Sequence, residues 1–277
     1  MKLETSPSPC NSVYNAPIGV FDSGLGGLTV LKALKEVLPE ESTVYLGDVA
    51  RFPYGSKSAQ VVLRYAREAA EFLLGHSMKL LVVACNTASS LALEGLQQQL
   101  RIPVVGVILP GAEEAVQATR NGRIAVLGTA GTIRSGAYQR ALLAAQASFV
   151  VIAQACPLFA PLVEEGWLQG EVPTLVARHY LQPAMEAGVD TVVLGCTHYP
   201  LLAPTLAAVL GPEVRLVDSA MATARHVARL LRAQALSAQA PKAVEHACFV
   251  TDEPGRFAQQ AERFLGYALS GLQLCKL

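Results

Sequence analysis

LLVVACNTASS, residues 80–90, passes from an unbroken apolar run through a cysteine into a string of short polar side chains. The apolar run, 80–84, has the length and the Val/Leu content of a strand, and the segment that follows, 88–100, has helical spacing. A strand without polar alternation is buried on both faces, as in parallel sheets covered by helices on each side. The same passage recurs in TVVLGCTHYPLL, residues 191–202: apolar run, cysteine, polar turn, helix. These two stretches set the expectation of an α/β fold.

Working outward, apolar runs of strand length stand at 18–21, 44–46, 104–107, 124–127, 150–153, 214–217 and 246–251. Helical periodicity fills 28–37, 58–74, 110–119, 135–144, 173–186, 201–210, 221–234 and 254–265. Alternation of this kind implies β-α units on largely parallel sheets. IGVFDSG at 18–24 is echoed by IAVLGTAG at 124–131, and VVACNTAS at 82–89 by VVLGCTHY at 192–199. Ile124 follows Ile18 by 106 residues and Cys196 follows Cys85 by 111, and near-equal offsets at separate places imply related lobes.

The fold expected is two similar doubly wound parallel-sheet domains related by pseudo-twofold symmetry, with the active site in the cleft between them. Residues 18–109 and 218–277 form the first, discontinuous domain, because the strand and helices after 217 have no partner in the repeat. Residues 110–217 form the second, and 1–17 a flexible N-terminal extension.

The 277 residues suit two modest domains. Lys and Arg number 22 and Asp and Glu 22, so neither a basic nucleic-acid footprint nor a membrane-binding cluster is present in the sequence. A small molecule is the expected partner. The apolar fraction is 52%, yet no run approaches the ~18 residues of a membrane span. The polar, Ser- and Pro-rich beginning lacks the apolar stretch of a secretory signal, and the expected location is the cytoplasm. Six cysteines without a CxxC pair read as reduced thiols, and Cys10, Cys156, Cys248 and Cys275 take the structural reading.

Ligands of open parallel sheets bind beyond the carboxyl ends of the strands, where Asp22, Cys85, Thr129 and Cys196 all fall. The glycine-rich loop 22–27 fits neither the P-loop nor the dinucleotide fingerprint, so no nucleotide cofactor is expected. Helix N-termini lower thiol pKa values, and an imidazolium lowers them further, so either cysteine is expected to serve as a base near neutral pH. Asn86, Thr87, Thr129, Thr132, Ser135 and Thr197 supply short polar groups for the carboxylate and ammonium of a small zwitterion. Each also has a plain reading as a helix cap. His198 lies two residues from Cys196, and Glu164 is a candidate orienter of its ring, or else a solvent-facing helix carboxylate. Tyr54, in the turn Pro53, Tyr54, Gly55, either lines a pocket or packs.

Taken in order, VFDSGLGGLTV, PYGSKS, CNTAS, GTAGT with IRSGAY, CPLFAPLVEEG and GCTHYPLL resemble the glutamate racemases of the aspartate/glutamate racemase superfamily, from about residue 18 through the C-terminal helix. The resemblance implies two α/β domains with glutamate between them, no cofactor, no metal, and two cysteines acting on opposite faces of Cα. It places those roles on Cys85 and Cys196, with Asp22 assisting the first and His198 the second. By the same resemblance Cys85 deprotonates the D-enantiomer and Cys196 the L-enantiomer. Substrate contacts fall on Asp22, Ser23, Tyr54, Gly55, Asn86, Thr87, Thr197 and His198. It implies D-glutamate supply for peptidoglycan in a bacterial cytoplasm. The oligomer stays open, with a homodimer expected, as does activation by a cell-wall precursor.

Three other readings stand beside this one. A sibling racemase for aspartate or a related amino acid would use the same thiol pair. A zinc-binding hydrolase would draw on Cys85, Cys196, His198 and Asp22, although the short-range ligand pairs of zinc sites are missing. A non-catalytic amino-acid sensor would retain the fold without turnover.

Overall fold

The computed structural model describes residues 13–239 and 243–277. Most of the expected N-terminal extension, and Cys10 with it, lies outside the described residues. Residues 13–17 are tied down: Lys79 Nζ donates to the Tyr14 carbonyl at 2.6 Å and to the Leu236 carbonyl at 2.8 Å, and pairs with Glu41 at 2.6 Å.

Each expected strand is present. β1 (Ile18–Asp22), β2 (Thr43–Gly47), β3 (Leu80–Val83) and β4 (Val104–Gly106) belong to one sheet, and β5 (Arg123–Gly128), β6 (Val150–Ala155), β7 (Thr191–Gly195) and β8 (Arg215–Asp218) to another. The chain then returns to the first sheet with β9 (His246–Val250) and β10 (Leu272–Leu274). The sheet orders are β10-β9-β2-β1-β3-β4 and β6-β5-β7-β8, and every pairing is parallel. The run β2-β1-β3-β4 matches β6-β5-β7-β8 strand for strand, so the sequence repeat is a repeat of topology.

The strands alternate between two packed faces. Ile18, Val20, Leu80 and Val82 point into one apolar cluster and Phe21, Leu81 and Val83 into another. In the second sheet Ala125, Leu127, Val192 and Leu194 join the first of these clusters, while Ile124, Val126 and Val193 pack in a third. One core therefore runs through both lobes. A period of two, with both faces apolar, is what a helix-covered parallel sheet requires.

The helices are α1 (Leu28–Val37), α2 (Ala59–Leu74), α3 (Asn86–Leu91), α4 (Leu93–Gln99), α5 (Ile108–Ala118), α6 (Ala130–Ser135), α7 (Ala137–Ala145), α8 (Phe159–Glu164), α9 (Glu171–Glu186), α10 (Ala203–Leu210), α11 (Ser219–Ala233) and α12 (Pro254–Leu265). Two expected helices are split. The segment 88–100 breaks at Ala92, whose φ is −125°, and the segment 135–144 breaks at Gly136, whose φ of +66° is the left-handed conformation that glycine adopts without strain. α11 packs on both α1 and α5, one helix of each lobe, through a stripe that includes Ala220, Ala224, Val227 and Leu231. Among the described residues no helix is long and apolar enough to cross a membrane.

Candidate active site

β1, β3, β5 and β7, the central strands of the two sheets, end at one cavity of about 40 Å³. Its lining includes Cys85 and Asn86 from the end of β3, Cys196 to His198 from the end of β7, Thr129 from β5, and the turn Pro53, Tyr54, Gly55. Ser23 and Thr87 complete the predicted residues on its wall. Asp22, Thr132 and Glu164 do not line it; each stands one contact behind. Thr132 shares hydrogen bonds with Thr129 at 3.0 Å and with Thr87 at 3.4 Å. Phe52 and Ala160 also line the cavity and were not expected from sequence. The aromatic immediately before the Pro-Tyr-Gly turn was the available signal for Phe52.

Glycines let the lobes approach. A Cβ on Gly26 would stand 2.1 Å from Thr197 Oγ1 and 2.7 Å from His198 Nδ1, and one on Gly131 would stand 3.0 Å from the Gly55 carbonyl oxygen. Thr87 and Thr129, from different lobes, hydrogen-bond through their hydroxyls at 2.8 Å. Tyr54 is held from behind: its hydroxyl donates to Asp48, which also takes a hydrogen bond from Arg51 at 2.6 Å and one from Thr251 at 3.0 Å.

The two thiols have unlike surroundings. Cys85 is 5% exposed; its Sγ lies 3.4 Å from Ser23 Oγ and accepts from the Ala88 amide at 3.5 Å, capping α3. Burial, and after it the Asp22 carboxylate, push the Cys85 thiol up to about 12, against the pull of Ser23 and the Ala88 amide. The expectation that a helix N-terminus makes this cysteine a base near neutral pH is therefore corrected. One long amide contact does not offset full burial beside a carboxylate. Asp22 is itself fully buried, and burial raises its pKa although the His198 charge and the amides of Gly24, Gly27 and Ser23 draw it down. Its Oδ2 accepts from the Gly24 amide at 2.9 Å, while Oδ1 has no partner.

Cys196 lies 3.9 Å from His198 Nδ1, and His198 Nε2 lies 3.1 Å from Glu164 Oε1. Burial works against protonation of this ring, but the bonds with Cys196 and Glu164 outweigh it and hold His198 up to about 10. The imidazole is thus a cation at neutral pH, donating to Glu164 from Nε2 and facing Cys196 with Nδ1. Phe52 and Phe264 pack against it with ring centroids at 5.7 and 5.5 Å. Glu164 is therefore in contact with the His198 ring and is not a free surface carboxylate. Among the described residues no group of three or more His, Cys, Asp or Glu side chains could hold a metal ion.

The cavity thus carries a thiol from each lobe, one beside a carboxylate and one beside an imidazolium. Proteins of similar sequence and fold are glutamate racemases. The chain is 56% identical over 249 residues to the glutamate racemase of Geobacter metallireducens, covering 90% of this chain and 92% of that one. It superimposes with a TM-score of 0.92 on the glutamate racemase isoform RacE1 from Bacillus anthracis, at 40% identity, covering 95% of this chain and 98% of that one. The glutamate racemase from Francisella tularensis, solved in complex with D-glutamate, gives a TM-score of 0.89 at 35% identity, with the same coverage of each chain. A family model described as Asp/Glu/Hydantoin racemase matches residues 18–227, a span that takes in both cysteines, Asp22 and His198. The chain belongs to the Asp/Glu/hydantoin racemase family.

Proposed function

We propose that this protein is an isomerase that interconverts L- and D-glutamate without a cofactor, by proton exchange at Cα between Cys85 and Cys196. The observation that carries the reading is the placement of both thiols, from equivalent strand ends of the two lobes, on one closed cavity. The similarity to glutamate racemases over nearly the whole chain supplies the substrate.

In the L-to-D direction Cys196, as thiolate, takes the Cα proton; the electron pair left on Cα is spread into the α-carboxylate, and the Cys85 thiol delivers a proton to the opposite face. One C–H bond breaks and one forms, and one proton has moved from Cys85 to Cys196. Its raised pKa keeps Cys85 protonated at neutral pH, so it enters this direction as the thiol that donates. In the reverse direction Cys85 must first lose its proton, and Asp22 is the acceptor whose burial-raised pKa suits that task. The His198 cation, oriented by Glu164, balances negative charge on the Cys196 face. The α-proton is weakly acidic, so the site needs water excluded and its donors fixed in advance, which a closed cavity provides. With this function go D-glutamate supply for peptidoglycan, a cytoplasmic setting, a homodimer, and a division into lobes at 18–109 with 218–277 and at 110–217.

Deuterium incorporation at Cα is the direct test. In heavy water, product formed from either enantiomer should carry solvent deuterium, and Cys85→Ser or Cys196→Ser should each abolish inversion in both directions. Inversion unimpaired in either variant would refute the two-thiol mechanism. A clear preference for aspartate would reject glutamate as substrate.

A further inference from the structure

Asn86 lines the cavity beside Cys85 and is 2% exposed. Its Oδ1 accepts from the Tyr138 hydroxyl at 2.8 Å, whereas its Nδ2 is buried without a partner. The bond crosses the lobes, since Asn86 opens α3 beside the first sheet and Tyr138 lies in α7 beside the second. Tyr138 is 1% exposed, and its hydroxyl lies beside Ser219 at the start of α11. Gly111 leaves room for that meeting: a Cβ there would stand 3.1 Å from the Tyr138 hydroxyl oxygen and 3.0 Å from Ser219 Cβ.

A phenol has a single proton. That proton goes to Asn86 Oδ1, so the amide turns its oxygen toward Tyr138 and its nitrogen away. A primary amide nitrogen only donates. A buried donor left unpaired beside the catalytic thiol is a place for an acceptor that arrives with the ligand.

Resting on the glutamate reading above, we propose that Tyr138 is a positioning residue. It fixes the Asn86 amide so that Nδ2, and not Oδ1, meets an oxygen of the substrate α-carboxylate. That oxygen gains negative charge as the Cα proton leaves, so the donor counts for more in the transition state than in the bound substrate. Without the hydroxyl the amide turns freely, and its oxygen meets the carboxylate for part of the time. The same bond forms only with the lobes together, which links closure to a correctly facing amide.

Tyr138→Phe removes the hydroxyl and keeps the packed ring. We expect KM for glutamate to rise and kcat to fall, together lowering kcat/KM about tenfold or more. In an Asn86→Ala background the same change should cost less than about twofold, because the amide it orients is gone. A purely structural tyrosine would lose equally in both backgrounds. Ser219→Ala, which leaves Tyr138 in place, repeats the comparison in weaker form should Tyr138→Phe fold poorly, with about a two- to threefold loss confined to the Asn86 background. An unchanged kcat/KM in Tyr138→Phe, or an equal loss in both backgrounds, overturns the positioning role while the wild type still racemises glutamate. A wild type that does not racemise glutamate overturns both readings.

Discussion

Cys85 and Cys196 hold equivalent places in two equivalent lobes, yet one faces the buried carboxylate of Asp22 and the other the imidazolium of His198. The pairing of thiols was legible in the sequence because each closes an apolar run before a polar turn. Their unlike partners were expected too, Asp22 by resemblance and His198 by its place in the chain; the upward push on Cys85 was not, because burial is a property of the fold. Tyr138 was illegible for a similar reason: on its own helix it reads as one more apolar-face residue. His198 binds its proton more tightly in the folded chain than its ordinary value of 6.5. Its contribution to stability is therefore complete below about 6.5 and is lost as pH rises through about 10. Glu164→Gln removes one of the groups that raise it, so the imidazolium should titrate about one unit or more lower. Ring resonances followed by NMR against pH check this directly, and kcat should fall about tenfold with the alkaline limb of the rate profile moving down in pH.

At the scale of the element, the nine expected strands were readable because their runs are apolar on both faces. β10 was not, since Leu272–Leu274 is short and largely exposed at the sheet edge. α8 was hidden by its length of six residues and by Pro161 within it, although it carries Glu164 to His198. The break between α6 and α7 has a use: it lets α6 begin at Ala130, capped by the Thr129 hydroxyl on the Thr132 amide at 3.2 Å. The helix start then lies against the turn at Tyr54, with Gly131 at the contact. Gly131→Ala places a methyl group 3.0 Å from the Gly55 carbonyl oxygen and 3.1 Å from Thr87 Cγ2, both in the other lobe. We expect kcat/KM to drop about tenfold or more with the fold intact, measured by turnover beside a circular-dichroism melt.

At the scale of the molecule, two sheets that share a four-strand order also share one apolar core, and α11 packs on a helix of each lobe. The cavity of about 40 Å³ has room for roughly three water molecules. Glutamate, with ten heavy atoms, is larger than that space, so we expect the lobes to part as it enters. Ligand that binds the closed form should stabilise the whole chain, by about 2.7 kcal/mol at one hundred times Kd. For a protein of this size that is a rise of roughly 5–10 °C in the melting temperature. Scanning calorimetry with D-glutamate checks it, and an unmoved transition at saturating ligand would contradict specific binding to the folded chain.

The closed cavity also decides how the thiols meet reagents other than substrate. Cys85 is 5% and Cys196 7% exposed, so we expect an alkylating agent or a peroxide to react slowly with either sulfur while the lobes are together. Inactivation by iodoacetamide is then paced by opening, and it slows when a ligand holds the lobes shut. On the proposed mechanism, the pocket for proton exchange would thereby shield its own sulfur atoms from irreversible damage, leaving them vulnerable mainly in the interval between ligands.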